Sequence, residues 1–482
     1  MGLKWYRQDR EAVLAALRRG ERPDMATTMA CGPLDELLAL HEELGNFSVC
    51  DEFEVARERA GIADGLLLRT LASLPFVTEP SLSGAAGALF REPALLLQLG
   101  WPPVQIREGD NRRHRHPAGR QPDSLPCHPD TLRDALRRVS EQAWDTAQRA
   151  GVGTLYQRGL VRGKVYALDG SGLGAQLRLV CLVCVSGERP VIVAWRLLEG
   201  AGSEKGAEAS VGRGLVEQAL ALGGEQCIEL LLADALYADG GWLAWLKYVK
   251  GIDALVSLPS DRLLYQDVQG LAAGQLLVWT EHHYTRVVRG HKQVRYVQVA
   301  ATNGLTSWDS YLEAATEYGH PEATLWVCLI RELSPQPQPV TEAYALVSTR
   351  SWADGFVALQ AYRPRWHIEN DQYRELKEGW RLEEQRWGRD LPVIRGRTTL
   401  TCLAFNTAQV YRSQAGERLV HMAIRRLRRE RRPEWGAAPV VIYMAGCCAV
   451  LALEELVAAL GAPVRESLLP ALGHISDPSA PP

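Results

Sequence analysis

Three acidic residues have the type and position that metal-assisted chemistry requires. Asp169 and Asp234 each follow a short apolar run, VYAL and IELLLA, and Glu369 lies in the charged stretch Ala361–Trp380. Carboxylate oxygens are the ligands that hard divalent cations such as Mg²⁺ prefer. Two such ions about 4 Å apart can activate an attacking oxygen and stabilise a leaving oxygen in phosphoryl transfer. If the fold brings the three carboxylates together, they predict a two-metal site for phosphoryl transfer.

Each of the three residues also has a simpler explanation. Asp169 precedes a Gly-Ser-Gly sequence and could be a turn residue. Asp234 could cap the helix that follows it, although Asp239 is at least as well placed to do so. Glu369 could be a surface carboxylate paired with a neighbour such as Arg365. The choice between these explanations and a shared site depends on the elements that position the residues.

The stretch Ala361–Trp380 predicts an amphipathic helix, because apolar and aromatic residues recur in it at helical spacing. Pro364 suits its first turn and Gly379 its end. The side chains expected to pack inward are Trp366, Ile368, Tyr373, Leu376 and Trp380. Arg365, Glu369 and Lys377 are then left beside a polar cleft.

The segment from Lys164 predicts a mixed α/β sheet with covering helices, since short apolar runs alternate with helical patterns. The predicted strands are Val165–Leu168, Leu177–Val185, Val191–Leu197, Ile228–Ala233 and Ala254–Leu258, and the predicted helices are Glu217–Leu222 and Trp242–Val249. Residues 260–345 contain further strand-like runs and predict a β-rich insertion. Residues 1–158 predict a mostly helical region, and residues 416–482 a basic and apolar C-terminal region.

Three segments carry a family resemblance: ALDGSG, LLADALYADGGWLAWLK and YRPRWHIENDQYRELK. They resemble the three acidic motifs of DDE transposases of bacterial insertion sequences, in the cut-and-paste branch called insertion-sequence family four. The resemblance covers Val165–Tyr411, roughly half of the chain. It implies a ribonuclease-H-like core made of residues 159–259 and 346–415 and divided by the β-rich insertion.

The resemblance implies a role for each acidic residue. Asp169, Asp234 and Glu369 would hold two Mg²⁺ ions, for which Mn²⁺ can substitute. The implied reaction is metal-dependent cleavage of the ends of an insertion sequence, followed by strand transfer through a hairpin intermediate.

The third motif of that family reads Tyr, two residues, Arg, three residues, Glu, six residues, Lys. Tyr362 and Arg365 match this spacing, and the resemblance implies that they contact DNA phosphate near the cleavage site. Leu376 occupies the position expected for the lysine, and Lys377 comes one residue late. One residue rotates a side chain by about 100° around an α-helix. Either Lys377 reaches DNA from this neighbouring position, or the contact is lost.

The implied partners are duplex DNA with terminal inverted repeats, target DNA, and a second copy of the chain in a DNA-bound homodimer. The N-terminal region would recognise the repeats. Arg425, Arg426 and Arg429 belong to a basic run that could bind phosphates or could form a solvated helix face. The NRRHRH sequence at 111–116 presents the same choice between a DNA contact and a polar loop. A tryptophan of the insertion (Trp279, Trp308 or Trp326) could hold a flipped base or belong to the core.

The bulk composition narrows the class of protein. The 482 residues include 54 basic and 57 acidic side chains. This balance excludes a uniformly basic nucleic-acid coat but leaves room for a local basic surface. The 10 cysteines have no dense disulfide spacing, and Cys181 and Cys184 in LVCLVCV predict buried thiols. With no apolar signal core or membrane-spanning run, the expected location is the cytoplasm, at the nucleoid when DNA is bound.

Two other functions remain compatible with the sequence. The displaced Lys377 is consistent with a catalytically inactive relative that only binds DNA. A metal-dependent nuclease on the same fold is the second, because a fold does not fix a function.

Overall fold

A computed structural model describes residues 7–28, 34–56, 61–102, 105–106, 126–174, 176–200, 208–288, 291–333, 342–384, 386–414, 422, 424 and 440–460. The chain forms two compact units, one of residues 155–374 and the other of residues 1–154 with 375–482.

Both units contain strands and helices. The strands are β1 (Arg7–Gln8), β2 (Met25–Thr28), β3 (Val165–Gly172), β4 (Leu177–Cys184), β5 (Val191–Glu199), β6 (Leu230–Ala233), β7 (Asp253–Leu258), β8 (Thr280–Val288), β9 (His291–Leu305), β10 (Leu325–Leu333), β11 (Glu342–Ser348), β12 (Val440–Met444) and β13 (Cys447–Leu451). The α-helices are Arg10–Arg18, Leu34–Glu43, Asn46–Asp51, Asp64–Val77, Leu82–Leu89, Pro93–Gln98, Pro129–Arg138, Glu141–Gln157, Glu208–Gly223, Gly240–Ala244, Leu263–Ala273, Asp309–Glu317, Gly355–Tyr362, Leu391–Gln414 and Leu453–Ala459.

The unit of residues 155–374 is built on a nine-stranded sheet in the order β5-β4-β3-β6-β7-β11-β10-β9-β8. The β3–β6 and β6–β7 pairs are parallel, and the other pairs are antiparallel. All four residues of β6 are buried, as expected for a parallel strand covered on both faces. The prediction of a mixed α/β sheet with flanking helices is confirmed. The strands predicted as an insertion extend this same sheet, since β11 pairs with β7.

The end of β3 differs from the prediction, which stopped the strand at Leu168. The strand continues to Gly172 because β4 pairs with it throughout, with Asp169 opposite Cys181 and Gly172 opposite Arg178. The parallel pairing with β6 nevertheless ends at Leu168 and Ala233.

The other unit combines helices with a four-stranded sheet in the order β1-β13-β12-β2. The helix Arg10–Arg18 packs on this sheet through Val13 and Leu17, which join Ile442 and Leu451 in one apolar cluster. The predicted helical character of the N-terminal region agrees with the helices described there. The apolar C-terminal segment forms β12 and β13.

Two further features of the structure concern the cysteines and the length of the helices. Cys181 and Cys184 are buried and unpaired, which confirms their prediction as core thiols. Within the described ranges, no helix has the length and apolar character needed to cross a membrane.

The helix Glu208–Gly223 covers β4 and β5 and lies against the end of β3. A Cβ atom added at Gly212 would be 2.7 Å from Cδ2 of Leu168, the residue before Asp169, whereas one added at Gly214 would meet nothing within 4 Å. Gly212 therefore permits a close approach of the helix to the sheet, and Gly214 does not have this function.

We predict that Gly212→Ala destabilises the protein and that Gly214→Ala does not. The first substitution overpacks the core, at a cost of about 1–3 kcal/mol, while the second improves helix propensity by up to about 1 kcal/mol. Urea unfolding of both variants measures the difference. Equal stability of the two variants would contradict the packing described here.

Candidate active site

Two aspartates lie side by side at the edge where the parallel pairing stops. Leu168 pairs with Ala233, so Asp169 and Asp234 are the next residues on neighbouring strands, which lie about 4.8 Å apart. Asp169 is buried, and its Oδ1 accepts a hydrogen bond from the Gly170 N–H at 2.8 Å. Asp234 is half-buried, and its Oδ1 accepts one from the Leu236 N–H at 2.9 Å.

The stretch that carries Glu369 is helical, but its winding is irregular. The α-helix Gly355–Tyr362 is followed by a 3₁₀ turn, Arg363–Arg365, and then by π-helical segments at Ile368–Tyr373 and Glu375–Gly379. The predicted amphipathic helix is therefore present but is not α-helical throughout, and Gly379 ends it as predicted. Short π-helical segments occur frequently at functional sites.

Two tyrosines of the stretch that carries Glu369 form hydrogen bonds to the backbone around the aspartates. The Tyr362 hydroxyl donates to the Ala233 carbonyl at 2.9 Å. The Tyr373 hydroxyl lies 2.7 Å from the Asp169 carbonyl oxygen and 3.0 Å from that of Leu179. Since both tyrosines are buried, they fix the stretch relative to the strand ends.

Arg365 lies between two of the three acidic side chains. Its Nη1 is 2.7 Å from Oε1 of Glu369 and 3.4 Å from Oδ2 of Asp169. The Arg365 side chain is 8% exposed and that of Glu369 is 50% exposed. The guanidinium group therefore supplies positive charge where a bound cation would also be attracted.

The protonation of Asp169 reflects this arrangement. Burial and the neighbouring charge of Asp234 raise the pKa of Asp169 to about 7, against the opposing effect of the Arg365 guanidinium. The positive charge of Arg365 is therefore too small to offset burial and the repulsion from Asp234, and the pKa of Asp169 stays raised.

The donor set fits a divalent cation in its chemistry. Asp169, Asp234 and Glu369 offer hard oxygen ligands, and a cationic group already lies against two of them. Across the described ranges of the chain, no three His, Cys, Asp or Glu side chains are assembled as a ready ligand set. We therefore expect a bound cation and Arg365 to compete for these carboxylates.

The structure bears on each alternative explanation. Asp169 continues a strand, so the turn explanation is wrong. Asp234 does cap a short 3₁₀ turn, Ala235–Tyr237, and Asp239 caps the helix after it. Glu369 is paired with Arg365, as the surface explanation expects.

The residues predicted to contact DNA lie in different environments. Tyr362 and Arg365 are buried beside the acidic residues. Leu376 is fully buried, and Lys377 is half-buried. Arg425, Arg426 and Arg429 lie outside the described residues, as do 111–116. These DNA contacts stay predictions.

The three tryptophans considered for a flipped base are largely enclosed. Trp308 and Trp326 are buried, in agreement with a core role. Trp279 is half-buried, and the Arg331 guanidinium lies 3.9 Å from its ring centroid.

The sequence did not predict the importance of two neighbours of the acidic residues, Glu208 and Tyr237. Glu208 is buried and accepts a hydrogen bond from Tyr237, which follows Asp234 by three residues. Nothing in the local sequence marks Glu208, because its contacts come from distant segments. For Tyr237, the only signal in the sequence is its position three residues after Asp234, which places it near that aspartate.

The arrangement defines a mixed α/β domain with two aspartates where parallel pairing ends and a glutamate linked to one of them through Arg365. Residues 198–430 match the family model of the transposase DDE domain. This match to just under half of the chain confirms, at the level of that family, the resemblance found in the acidic motifs. Asp234 and Glu369 fall within the match, and Asp169 precedes it. No curated protein shows a significant match to the chain.

We predict that Asp169 makes the stability of the metal-free protein depend on pH. Its folded-state pKa of about 7 exceeds the ordinary value of 3.8. Between these values the native state holds a proton that the unfolded chain has released. Stability from this group is therefore present at low pH and is lost as the pH rises towards about 7.

Thermal unfolding in EDTA at about pH 5 and about pH 8 measures this effect. The wild type should lose more stability between the two conditions than Asp169→Asn, which cannot titrate. The same loss in both proteins would show that Asp169 has an ordinary pKa.

We also predict that Arg365→Gln destabilises the metal-free protein and enlarges its stabilisation by Mn²⁺. Removing the guanidinium leaves Asp169 and Glu369 without their shared counter-charge. The expected cost is about 2 kcal/mol, below the cost of breaking a fully buried pair because Glu369 is half-exposed and screened.

Arg363→Gln is the matched control, because Arg363 contacts Gln360, Thr285 and Tyr284 rather than the acidic cluster. Melting curves with EDTA and with MnCl₂ should separate the two variants. Equal metal-induced shifts in both would contradict competition between Arg365 and the cation.

Proposed function

We propose that this protein is a DNA transposase that cuts the ends of an insertion sequence and joins them to target DNA. The observation that carries the proposal is the adjacency of Asp169 and Asp234 where parallel pairing ends, with Arg365 linking Asp169 to Glu369. The transposase DDE domain match supplies the reaction class. The proposed relationship to insertion-sequence family four rests on the motif resemblance alone.

The proposed core is ribonuclease-H-like. The section β5-β4-β3-β6-β7 of the sheet has an antiparallel hairpin side and a parallel side. This topology brings the end of β3 beside the end of β6, which supports a shared site there. The strands β8 to β11 would be the β-rich insertion before the final glutamate.

Asp169, Asp234 and Glu369 would hold two Mg²⁺ ions, with Mn²⁺ as a substitute. The ions would supply activation of the attacking oxygen and stabilisation of the leaving oxygen. Tyr362 and Tyr373 hold the Glu369 stretch at the strand ends, so the third carboxylate is positioned by backbone hydrogen bonds. Arg365 keeps Asp169 and Glu369 together before a cation arrives, and its displaced guanidinium would then be available to a DNA phosphate.

The winding of the third motif bears on the displaced lysine. In an α-helix the extra residue before Lys377 rotates its side chain by about 100° relative to the family position. Residues 368–373 and 375–379 are π-helical, and a π-helical turn takes up more residues than an α-helical one. Such winding offsets a one-residue displacement. We therefore favour Lys377, rather than the buried Leu376, as a DNA contact.

The proposed partners are duplex DNA with terminal inverted repeats, target DNA and a second copy of the chain on the DNA. The compartment would be the cytoplasm, at the nucleoid when DNA is bound. A catalytically inactive relative and a simple nuclease are separated from this proposal by the products of one assay.

We predict that the wild type, given Mg²⁺ or Mn²⁺, nicks duplexes bearing the terminal repeats of its element and transfers the freed 3′ end. Asp234→Ala and Glu369→Ala should each lower cleavage by about a thousandfold or more, because several kcal/mol of charge stabilisation is lost with the metal. Gel analysis of end-labelled DNA measures both steps. Asp239→Ala is the matched control, since Asp239 only caps the helix after the site.

The outcomes are distinct. Activity retained in Asp234→Ala and Glu369→Ala would exclude the proposed ligands. Cleavage without transfer of a pre-cut end would identify a nuclease. A wild type that binds the ends without nicking them would identify an inactive relative, and Leu376→Lys would then test whether the lysine position is the cause.

A further inference from the structure

Glu208 is a buried carboxylate behind the proposed metal site. It is the first residue of the helix Glu208–Gly223 and is 1% exposed. Its Oε1 is ion-paired with Nη1 of Arg178, and its Oε2 accepts a hydrogen bond from the Tyr237 hydroxyl at 3.1 Å. Both oxygens are therefore engaged, and Glu208 is not a free ligand for a metal.

The same carboxylate also touches the backbone next to Asp169. A Cβ atom added at Gly170 would overlap both the carboxyl carbon and Oε2 of Glu208. Gly170 directly follows Asp169, and its N–H donates to the Asp169 side chain. A side chain at position 170 would have to push the Glu208 carboxylate away from Arg178 and Tyr237.

The contact with Tyr237 reaches the other aspartate. Tyr237 ends the 3₁₀ turn Ala235–Tyr237, and Asp234 caps that turn through its bond with the Leu236 N–H. A hydroxyl held at Glu208 therefore restrains the turn on which the Asp234 side chain depends. Glu208 thus contacts the segment after Asp169 and the segment after Asp234 at the same time.

The contacts of Glu208 with Arg178 and Tyr237 offset the cost of burying its charge. A buried carboxylate is costly unless its charge and its oxygen atoms are compensated. Here Arg178 supplies the counter-charge and Tyr237 a neutral donor. Removing one partner would leave the remaining groups buried and poorly paired, which is the costly case for such networks.

We propose that Glu208 is a positioning residue that sets the separation of the Asp169 and Asp234 carboxylates for metal binding. This inference rests on the proposed function, because it assumes that these carboxylates bind a cation. Two strand ends fix the backbones of the aspartates, and Glu208 fixes the two segments that determine how their side chains project. Substituting a residue that orients metal ligands typically lowers the metal affinity by about 10–100-fold.

Isothermal titration of the full chain with MnCl₂ tests the proposal, with thermal unfolding of each variant recorded in EDTA. Tyr237→Phe removes one hydroxyl and leaves the Arg178 ion pair in place, so it should fold. It should weaken Mn²⁺ binding about tenfold. Glu208→Ala should weaken it at least as much, and Glu208→Gln should weaken it less because the amide oxygen can still accept from Tyr237.

A glycine pair provides the matched control. Gly170→Ala displaces the Glu208 carboxylate and should weaken Mn²⁺ binding. Gly172→Ala lies on the same strand, where an added Cβ meets nothing within 4 Å, and should bind Mn²⁺ like the wild type. A purely structural role of Glu208 would lower the melting temperature without this selective loss of metal affinity.

The outcomes separate this inference from the proposed function. If the wild type binds Mn²⁺, Asp234→Ala does not, and Tyr237→Phe and Gly170→Ala bind as well as the wild type, only the role of Glu208 is wrong. If the wild type shows no Mn²⁺ binding that depends on Asp169 and Asp234, the metal site fails and this inference fails with it. A selective loss in Tyr237→Phe and Gly170→Ala, with Gly172→Ala unaffected, supports it.

Discussion

The repulsion between two adjacent carboxylates is the constraint around which the unit of residues 155–374 is arranged. Parallel pairing of β3 and β6 ends at Leu168 and Ala233, so Asp169 and Asp234 must lie together at a largely buried edge. Such a pair is unfavourable unless it is protonated or neutralised. The raised pKa of Asp169 and the approach of Arg365 are the two ways in which the metal-free protein lowers this cost. A divalent cation would be a third, and a stronger one.

Hydrogen bonds donated by three tyrosine hydroxyls hold the segments around the site in place. The hydroxyls of Tyr362 and Tyr373 bind carbonyl groups at positions 233 and 169, and Tyr237 binds Glu208. None of these bonds uses a side-chain oxygen of Asp169, Asp234 or Glu369. None of them therefore competes with a cation for those oxygens. These bonds therefore fix the backbones without using those side-chain oxygens, which is the preorganisation that charge-stabilising sites require.

The sequence predicted the positions of the acidic residues better than the details around them. Apolar runs ending at Leu168 and Ala233 were sufficient to predict that Asp169 and Asp234 lie near the ends of buried strands. The extension of β3 to Gly172 was missed because the Gly-Ser-Gly sequence predicts a turn, whereas pairing with β4 overrides that local preference. Glu208 was missed because Arg178 is 30 residues away in sequence and Tyr237 is 29 residues away. The π-helical winding near Glu369 was missed because side-chain spacing alone predicts an α-helix.

The most direct test of this account is the position of Mn²⁺ in crystals of the full chain grown with DNA ends and MnCl₂. Anomalous scattering should reveal manganese about 2.1 Å from oxygens of Asp169 and Asp234. Arg365 should then lie farther from Asp169 than the present 3.4 Å. Manganese absent from these carboxylates at saturating concentration, with Arg365 still paired to Asp169 and Glu369, would contradict the metal site and the function derived from it.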